Sequence, residues 1–475
     1  MAPERSGYLA LQSRDGMRRR DFLVLVGAGA AAWMTRDLYP VFAEPERKPN
    51  IIIILADDLG FHDLGFQGAA DVRTPNIDSL VRNGVRFTNG YVSCPVCSPT
   101  RAGLMTGRYQ QRFGHEFNPG PAGAAAENVG LPLTETTIAN VLKDAGYVTG
   151  LVGKWHLGYS PKFHPMRRGF DEFFGFLGGA HSYTDWAADK ANLILRGTEP
   201  VVENEYLTDA FTREAVSFIN RHRERPFFLY LAYNAVHGPL QAIRKYLNRF
   251  GHIADQRRRT YAAMLSAMDD GVGAVLGELR KAGITDDTLI FFLSDNGGPI
   301  TVNGSDNSPF SGAKGMVREG GVHVPFVAQW PRRLPRGKTY NRPVIALDIL
   351  PTAAAAAHGR VPTDHVIDGV DVMPYATGAK QGDPHDMLFW RMGPEAAVRQ
   401  GDWKLLRMGM ARPRLYDLSQ DIGETIDRSN DKPELARSLS DALAKWESQL
   451  AAPLWGRAGG ARRRRRRGAV AAPAR

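Results

Sequence analysis

The fold of this chain is decided by the stretch Ile51-Ile52-Ile53-Ile54-Leu55-Ala56-Asp57-Asp58. Its unbroken apolar run, rich in β-branched residues, is typical of a strand that is buried on both faces of a sheet. Comparable runs occur at 147–152, 227–232, 289–294 and 324–330. Helical periodicity is found between them, at 137–145, 208–221 and 261–282. This alternation predicts an α/β fold, with a mainly parallel or mixed central sheet flanked by helices.

The sequence changes in character after about residue 375. Four short runs there are typical of antiparallel strands, at 388–392, 397–399, 403–407 and 415–418. Helical periodicity follows at 433–450. We therefore predict a large domain at 44–375 and a small C-terminal subdomain, built of a sheet and a helix, at 376–455. No internal repeat has a fixed period.

The composition is that of a globular protein, with 43% hydrophobic and 23% charged residues in 475. These proportions exclude a disordered, collagen-like or disulfide-scaffold protein. The net charge of +10 lies at the chain ends, and residues 456–475 alone contain eight arginines and no acid. Because residues 44–455 carry no net charge, nucleic-acid binding is not expected. We predict that 456–475 is a disordered tail, with adhesion to an anionic surface or sulfated polymer as the alternative.

The first 43 residues have the pattern of an export signal. An apolar run at 22–34 follows the basic stretch Arg18-Arg19-Arg20. This run is too short to cross a bilayer as a helix, and the alternative is a short buried helix. The paired arginines before Phe22-Leu23 resemble a twin-arginine signal. We therefore expect a periplasmic or secreted protein that begins near Glu44 and has no integral membrane segment.

Polar side chains follow several of the predicted buried strands. In open α/β sheets, ligands bind beyond the carboxyl ends of the strands. The residues found at these ends are Asp57, Asp58, Lys154, His156, Asn234, His237, Asp295 and Asn296. The acids and the amide of Asn296 are hard oxygen donors, which suit Ca²⁺ or Mg²⁺ better than Zn²⁺. The alternative is that the two acidic pairs are ordinary turn or N-cap motifs.

The chain has two cysteines, Cys94 and Cys97, in a C-x-x-C arrangement. Such a pair can be a thioredoxin-type redox centre, but that motif belongs to a small domain and opens a helix after an early strand. A zinc site would need further soft ligands, and the chain contains no other cysteine. The remaining interpretation takes the longer word Cys97-Ser98-Pro99-Thr100-Arg101, followed by Leu104-Met105-Thr106-Gly107-Arg108.

That longer word resembles the signature of type I sulfatases, whose cysteine is oxidised after translation to Cα-formylglycine. The resemblance extends over roughly residues 48–450. Further motifs stand in the family's order: Thr74-Pro75-Asn76-Ile77-Asp78, Gly153-Lys154-Trp155-His156-Leu157-Gly158, His237-Gly238-Pro239, Ser294-Asp295-Asn296-Gly297 and Gly312-Ala313-Lys314-Gly315. Each motif is weak alone, and together they are specific.

The resemblance implies an alkaline-phosphatase-like fold and the hydrolysis of sulfate esters of carbohydrates or aryl alcohols. It implies that a formylglycine-generating enzyme converts Cys97, and that the hydrated aldehyde attacks sulfur. His156 would be the base that restores the aldehyde, and Arg101 and Lys154 would stabilise the hydrate and the sulfate. His237 and Lys314 would hold the sulfate and assist the leaving oxygen. The ligands of a Ca²⁺ ion, with Mg²⁺ as the alternative, would be Asp57, Asp58, Asp295, Asn296 and the modified Cys97.

Some residues depart from this pattern or are not assigned by it. His323 stands where the family usually has arginine, which puts a structural contact in doubt. His181, Tyr183 and Asp185 lie in a loop rich in glycine and aromatic residues, which could line a substrate pocket or simply pack. We expect His115 and His164 to be structural.

Two other functions compete with the sulfatase interpretation. The first is phosphonate monoester or phosphodiester hydrolysis, because related enzymes use the same formylglycine on phosphorus. The second is a non-catalytic protein that binds sulfated glycans, if Cys97 stays a thiol. Fold resemblance alone cannot identify the substrate.

Overall fold

The large sheet is built from strands in both halves of the chain. The computed structural model describes residues 47–120, 127–188 and 190–456. The predicted signal at 1–43 and the arginine run of the tail lie outside these residues. The strands are β1 Asn50–Ala56, β2 Val85–Phe87, β3 Gly90–Tyr91, β4 Val148–Lys154, β5 Glu172–Phe176, β6 Leu195–Arg196, β7 Glu199–Pro200, β8 Phe227–Ala232, β9 Thr288–Ser294, β10 Phe326–Gln329, β11 Lys338–Tyr340, β12 Val344–Ile345, β13 Leu388–Met392, β14 Glu395–Gln400, β15 Trp403–Met408 and β16 Arg414–Asp417.

Ten of these strands form one mixed sheet in the order β11-β2-β10-β9-β1-β8-β4-β5-β6-β7. The block from β9 through β5 is parallel throughout. Towards the edges, β10 runs antiparallel to both of its neighbours, and β6 and β7 are antiparallel as well. The predicted mixed α/β sheet is therefore confirmed.

Both faces of this sheet are covered. Successive side chains of β1 point to opposite faces, so Ile51 and Ile53 enter one hydrophobic core and Ile52 and Ile54 enter the other. All four are fully buried, which is why the sequence of this strand is an unbroken apolar run.

The α-helices are α1 Pro75–Arg82, α2 Cys97–Thr106, α3 Ile138–Asp144, α4 Leu207–His222, α5 Arg244–Leu247, α6 Gln256–Lys281, α7 Ile300–Asn303, α8 Glu319–Val322, α9 Ile349–Ala356, α10 Met373–Thr377 and α11 Pro433–Glu447.

The C-terminal part forms the predicted small sheet and helix. Strands β13 to β16 pair in sequence order, all antiparallel, and α11 packs on them. Trp390 of β13 is fully buried and donates from Nε1 to the carbonyl of Val92 at 2.7 Å. The small sheet is thereby packed against the segment that precedes α2.

Within the part of the chain that the structure describes, no helix combines the length and the apolarity that a membrane span requires.

Candidate active site

The polar residues predicted at the strand ends meet at one edge of the large sheet. Strands β9, β1, β8 and β4 are neighbours and parallel, so their carboxyl ends lie side by side. Ala56 pairs with Ser294, and Asp57 and Asp295 therefore follow at the same level. Lys154 is the last residue of β4. The sheet topology alone thus brings these groups together.

Cys97 reaches the same edge from α2. It is the first residue of that helix, and its Sγ lies 3.6 Å from Asp57 Oδ1. Arg101 follows one helical turn later, so it projects from the same face of α2. Its Nε and Nη2 both donate to Asp295 Oδ2, at 2.9 and 2.7 Å. The spacing of the cysteine word therefore places a thiol and a guanidinium over the same pair of acids.

Three cations balance three carboxylates in this buried cluster. Lys154 Nζ lies 2.5 Å from Asp57 Oδ2, and both side chains are 0% exposed. Lys314 Nζ lies 2.6 Å from Asp58 Oδ1. The third pair is Arg101 with Asp295. Because unpaired buried charges are costly, this pairing is what allows so many ionised groups to share one site.

The charges also set the protonation of the groups between them. Burial alone would raise the pKa of Asp57, but Lys154, His237 and Arg101 together lower it below its ordinary value. Burial, assisted by Lys154 and Arg101, holds the pKa of His156 well below its usual range. Asp57 is therefore a carboxylate and His156 a neutral imidazole at neutral pH. A neutral imidazole can accept a proton.

Ser98, which follows Cys97 in the motif, positions the backbone of His156. The hydroxyl of Ser98 donates to the main-chain carbonyl of His156 at 2.6 Å, and it also contacts His115 Nε2 at 2.7 Å. The ring nitrogen Nδ1 of His156 is buried and has no hydrogen-bond partner among the residues that the structure describes. Ser98 thus links the start of α2 to the end of β4, a role that sequence reasoning missed although the residue lies within the motif.

Asp58 and His156 both have left-handed backbone, with φ of 61° and 59°. This conformation is unfavourable for residues with a Cβ atom, and such strain is concentrated at functional sites. Close packing beside them requires glycine. A Cβ atom on Gly153, whose φ is 112°, would lie 2.0 Å from the carbonyl oxygen of Ala232.

His237 lies near Asp58, with Nε2 at 3.6 Å from Oδ2. Ligand atoms of Asp57, Asp58, Cys97 and His237 all lie within 4.8 Å of one another. Asp295 adjoins this group, since its Oδ1 accepts from the main-chain N–H of Asp58 at 3.3 Å. The structure thus brings together the cysteine, the acids and the histidine that the sequence predicted.

The site also fits a divalent metal ion on the chemistry of its donors. Asn296 donates from Nδ2 to Asp58 Oδ1 at 2.8 Å, which turns its oxygen away from that carboxylate. This Oδ1 atom is buried, and no residue in the described ranges 47–120, 127–188 and 190–456 forms a hydrogen bond with it. A buried amide oxygen among carboxylates suits a hard cation such as Ca²⁺ or Mg²⁺.

The two cysteines differ in surroundings, although both are buried free thiols. Cys97 belongs to the cluster of candidate metal ligands, and Cys94 does not. Burial, with Asp295 as the next cause, raises the pKa of the Cys97 thiol to about 12. An unmodified Cys97 would therefore be a protonated thiol, which is a weak nucleophile.

Tyr183 lies in the loop rich in glycine and aromatic residues and contacts the segment of His237. Its hydroxyl donates to the carbonyl of His237 at 2.8 Å and thereby supports that segment.

The other predicted residues make contacts with neighbours in the sequence. His181 is buried, with Nδ1 at 2.8 Å from the carbonyl of Ser182. Asp185 accepts only locally, from the N–H of Ala187. His164 accepts from the N–H of Met166, which caps a short turn.

Asn234, which follows β8, was found at a strand end in the sequence without a predicted role. It is 1% exposed, and in the part of the chain that the structure describes neither its Nδ2 nor its Oδ1 has a hydrogen-bond partner.

The mixed sheet covered on both faces, the acidic strand ends and the cysteine at a helix start fit the alkaline-phosphatase-like fold that the family resemblance implies. The family model for sulfatases matches residues 49–359. The N-acetylgalactosamine-6-sulfatase of Canis lupus familiaris is 35% identical over 414 residues, which cover 81% of this chain and 74% of that protein. The steryl-sulfatase of Mus musculus is 33% identical over 78% of this chain and 72% of that protein.

Among solved structures, Ps i-CgsB in complex with k-i-k-neocarrahexaose is 39% identical, with a TM-score of 0.82. The match covers 86% of this chain and 95% of that chain. This chain therefore belongs to the sulfatase family and is a sulfuric ester hydrolase.

Proposed function

We propose that this enzyme removes sulfate from a sulfated carbohydrate, using a formylglycine formed from Cys97 and a bound Ca²⁺ ion, with Mg²⁺ as the alternative. The observation that carries the proposal is the position of Cys97. Its Sγ lies 3.6 Å from Asp57 Oδ1. Cys97 is also the first residue of α2, the helix whose Arg101 is paired with Asp295. A nucleophile at this position would stand beside both a metal site and a cationic cluster.

The ligands proposed for the metal are Asp57, Asp58, Asp295, Asn296 and the modified residue 97. The unpartnered Oδ1 of Asn296 supports this set. A bound divalent cation would offset negative charge on the sulfate oxygens. Arg101 and Lys154 supply positive charge on the same side, and both are fully buried. Charges in such a dry site act strongly on a bound anion.

Oxidation of Cys97 by the formylglycine-generating enzyme, with an external oxidant and loss of the sulfur, would leave an aldehyde that hydrates at the first residue of α2. One hydroxyl of the hydrate would attack the sulfur of the substrate and displace the alcohol. His156 is proposed to accept the proton of the other hydroxyl, so that the carbon–oxygen bond to sulfate breaks and the aldehyde re-forms. Burial and the neighbouring cations keep the imidazole of His156 neutral, and within the described part of the chain its Nδ1 has no competing hydrogen-bond partner. Ser98 fixes the backbone of His156 relative to residue 97. A base on His156 would therefore have a fixed backbone position relative to residue 97.

His237 and Lys314 are proposed to assist the leaving oxygen. Both lie next to Asp58. Burial alone would lower the pKa of Lys314, but Cys97, Asp58 and Asp57 raise it above its ordinary value. Its ammonium group is therefore charged throughout the neutral range. A charged group beside a developing alkoxide lowers the barrier to sulfur–oxygen cleavage.

A carbohydrate substrate is supported by the relatives. The curated relatives include N-acetylgalactosamine-6-sulfatases, and the Ps i-CgsB structure was determined with a neocarrahexaose. Both names refer to sugars, whereas steryl-sulfatase is also among the relatives. We therefore propose a sulfated glycan as the substrate class, with an aryl sulfate as a convenient assay substrate.

The test compares four substrates at equal enzyme concentration: a sulfated N-acetylhexosamine, a sulfated galactan oligosaccharide, nitrophenyl sulfate and an aryl phosphonate. We expect the sulfate esters to be turned over and the two glycans to show the highest kcat/KM. A Cys97→Ala variant should be inactive, and the matched Cys94→Ala variant should keep its activity. Preference for the phosphonate, or full activity of Cys97→Ala, would contradict the proposal.

Phosphonate hydrolysis has weaker support. The phosphonate monoester hydrolase of Agrobacterium radiobacter is 20% identical, with a TM-score of 0.63. A likeness at this level shows the fold alone.

Export and maturation are proposed on the sequence of the N-terminal segment. We propose that a formylglycine-generating enzyme acts on the unfolded chain before twin-arginine export of the folded product, because Cys97 is buried once the chain has folded. Changing Arg19 and Arg20 to lysine in the full chain should then retain active enzyme in the cytoplasm. Unchanged export of the variant would contradict this route.

A further inference from the structure

A second cluster of buried charges adjoins the segment 311–319, which carries Lys314. Its centre is Glu319, the first residue of α8, which is 1% exposed. Lys404 of β15 donates to its Oε1 at 2.7 Å, and the hydroxyl of Tyr91 donates to its Oε2 at 2.6 Å. Burial alone would raise the pKa of Glu319, but the neighbouring cations, Lys404 foremost and Arg399 among them, hold it well below its usual range. Glu319 is therefore a carboxylate that can only accept hydrogen bonds.

His323 stands between two such acceptors. Its Nδ1 lies 2.9 Å from Glu319 Oε2, and its Nε2 lies 2.8 Å from the main-chain carbonyl oxygen of Thr88. A carboxylate and a carbonyl cannot donate, so each contact is a hydrogen bond only if the ring nitrogen carries a proton. Both contacts together require the doubly protonated, charged ring. A neutral ring would leave one buried acceptor facing another.

The charged groups packed around this ring include both acids and bases. The acids are Glu319, Glu424 and the exposed Asp402, and the bases are Lys404, Arg399 and Arg318. Lys404 Nζ lies 3.0 Å from Glu424 Oε1. Arg399 contacts the hydroxyl of Tyr91 and lies 3.7 Å from Asp402 Oδ1. Arg318 reaches the rim of the cluster through the carbonyl of Glu424, and the rings of Phe61 and Phe310 enclose His323.

The same cluster holds both ends of the segment that carries Lys314. Ser311 donates from its hydroxyl to Glu424 Oε2 at 2.8 Å, and the N–H of Glu319 donates to the same oxygen at 2.9 Å. Phe310 stacks on His323, with ring centroids 4.3 Å apart. Glu424 follows β16, and Lys404 belongs to β15. The small sheet is therefore linked, through these contacts, to both ends of the segment 311–319 that carries Lys314.

We propose that His323 is a positioning residue that acts as an imidazolium, donating from both ring nitrogens, and thereby fixes the segment carrying Lys314 against the small sheet. The functional part of this inference rests on the leaving-group role proposed above for Lys314. The charge state of His323 does not depend on that role, so the two can be tested separately.

The charge state is tested by NMR on the full-length protein with ¹⁵N-labelled histidine, in an experiment that distinguishes protonated from unprotonated ring nitrogens. Loss of one signal set in the His323→Arg variant assigns His323. We expect both of its ring nitrogens to be protonated at the pH of the activity assay. One unprotonated ring nitrogen on His323 would overturn the proposal, and this measurement on the unmutated protein remains decisive if a variant fails to fold.

The positioning role is tested by kinetics on a sugar sulfate and on nitrophenyl sulfate. A glutamine at position 323 can donate only from its amide, and its oxygen would face an acceptor. We therefore expect His323→Gln to lower the ratio of sugar to aryl turnover by about tenfold, a part of the 10²- to 10⁴-fold that leaving-group assistance is worth. His323→Arg, which is always charged and has several donors, should restore the ratio to within about threefold of the unmutated enzyme.

The matched control is His385→Gln, because His385 is another histidine paired with a carboxylate: its side chain is 9% exposed and its Nε2 lies 2.7 Å from Asp348 Oδ1. It should lower stability and leave the ratio unchanged. Equal loss of both activities in His323→Gln would overturn the positioning role. If Lys314→Ala itself leaves the ratio unchanged, the proposed function of Lys314 fails, and the NMR result still decides the charge of His323.

Discussion

Replacing Lys314 with alanine should separate substrates by the quality of their leaving groups. The Lys314 ammonium lies 2.6 Å from Asp58 Oδ1, and its side chain is 17% exposed. A sugar alkoxide is a poor leaving group that needs a nearby charge or proton, whereas nitrophenolate leaves unaided. The loss should therefore be confined largely to the sugar sulfate.

The size of the effect follows from the charge that is removed. A unit charge about 4 Å from the developing alkoxide contributes about 4 kcal/mol at an effective dielectric constant of about 20. Because Asp58 offsets part of the ammonium charge, we take half of this value. About 2 kcal/mol corresponds to about 30-fold in rate.

The assay compares kcat/KM for a sugar sulfate and for nitrophenyl sulfate in the unmutated enzyme and in Lys314→Ala. We expect the sugar sulfate to lose about 30-fold more than the aryl sulfate. Lys281→Ala is the control, since Lys281 lies on α6 with its side chain 75% exposed and should affect neither rate. Equal losses on the two substrates would refute the leaving-group role and make Lys314 a general sulfate-binding residue.

Three further outcomes are expected. His156→Ala should slow the sugar and aryl sulfates by the same factor, about 10² to 10⁴, and a selective loss on either would contradict its role as base. After chelation, Ca²⁺ at about a hundred times its Kd should restore activity and raise the free energy of unfolding by about 2.7 kcal/mol. Asn296→Ala should weaken this stabilisation. Full activity of the metal-free enzyme would exclude a role for the metal in the reaction. Gly153→Ala should lower the free energy of unfolding, measured in urea, by about 3 kcal/mol, because the new Cβ would clash with the carbonyl of Ala232. The control Gly277→Ala, within α6, should leave this free energy unchanged or raise it.

The buried strands could be predicted from the sequence because their apolar runs are long. The run at 289–294 corresponds to Thr288–Ser294, and the periodic stretch at 208–221 to Leu207–His222. Strands of two or three residues, such as β3 and β12, have no pattern long enough to detect. The antiparallel direction of β10 was equally inaccessible, because an apolar run carries no information on the direction of its neighbour.

The candidate site could likewise be predicted from the sequence only in part. The proximity of Asp57 and Asp295 follows from the rule that parallel strands end at a common edge. Lys314 lies in an irregular segment, and only the family resemblance pointed to it. The contacts that hold that segment could not be read from the sequence, since Ser311 and Glu424 lie 113 positions apart. Such pairings are set by tertiary packing.

The central claim is that Cys97 is oxidised to formylglycine and Cys94 is not. The direct test is mass spectrometry of tryptic peptide 87–101, which contains both cysteines, from active enzyme produced with a formylglycine-generating enzyme. We predict an aldehyde at position 97, detected by its reaction with a hydrazide, and a free thiol at position 94. Two unmodified thiols, or a disulfide between them, in fully active enzyme would contradict the account.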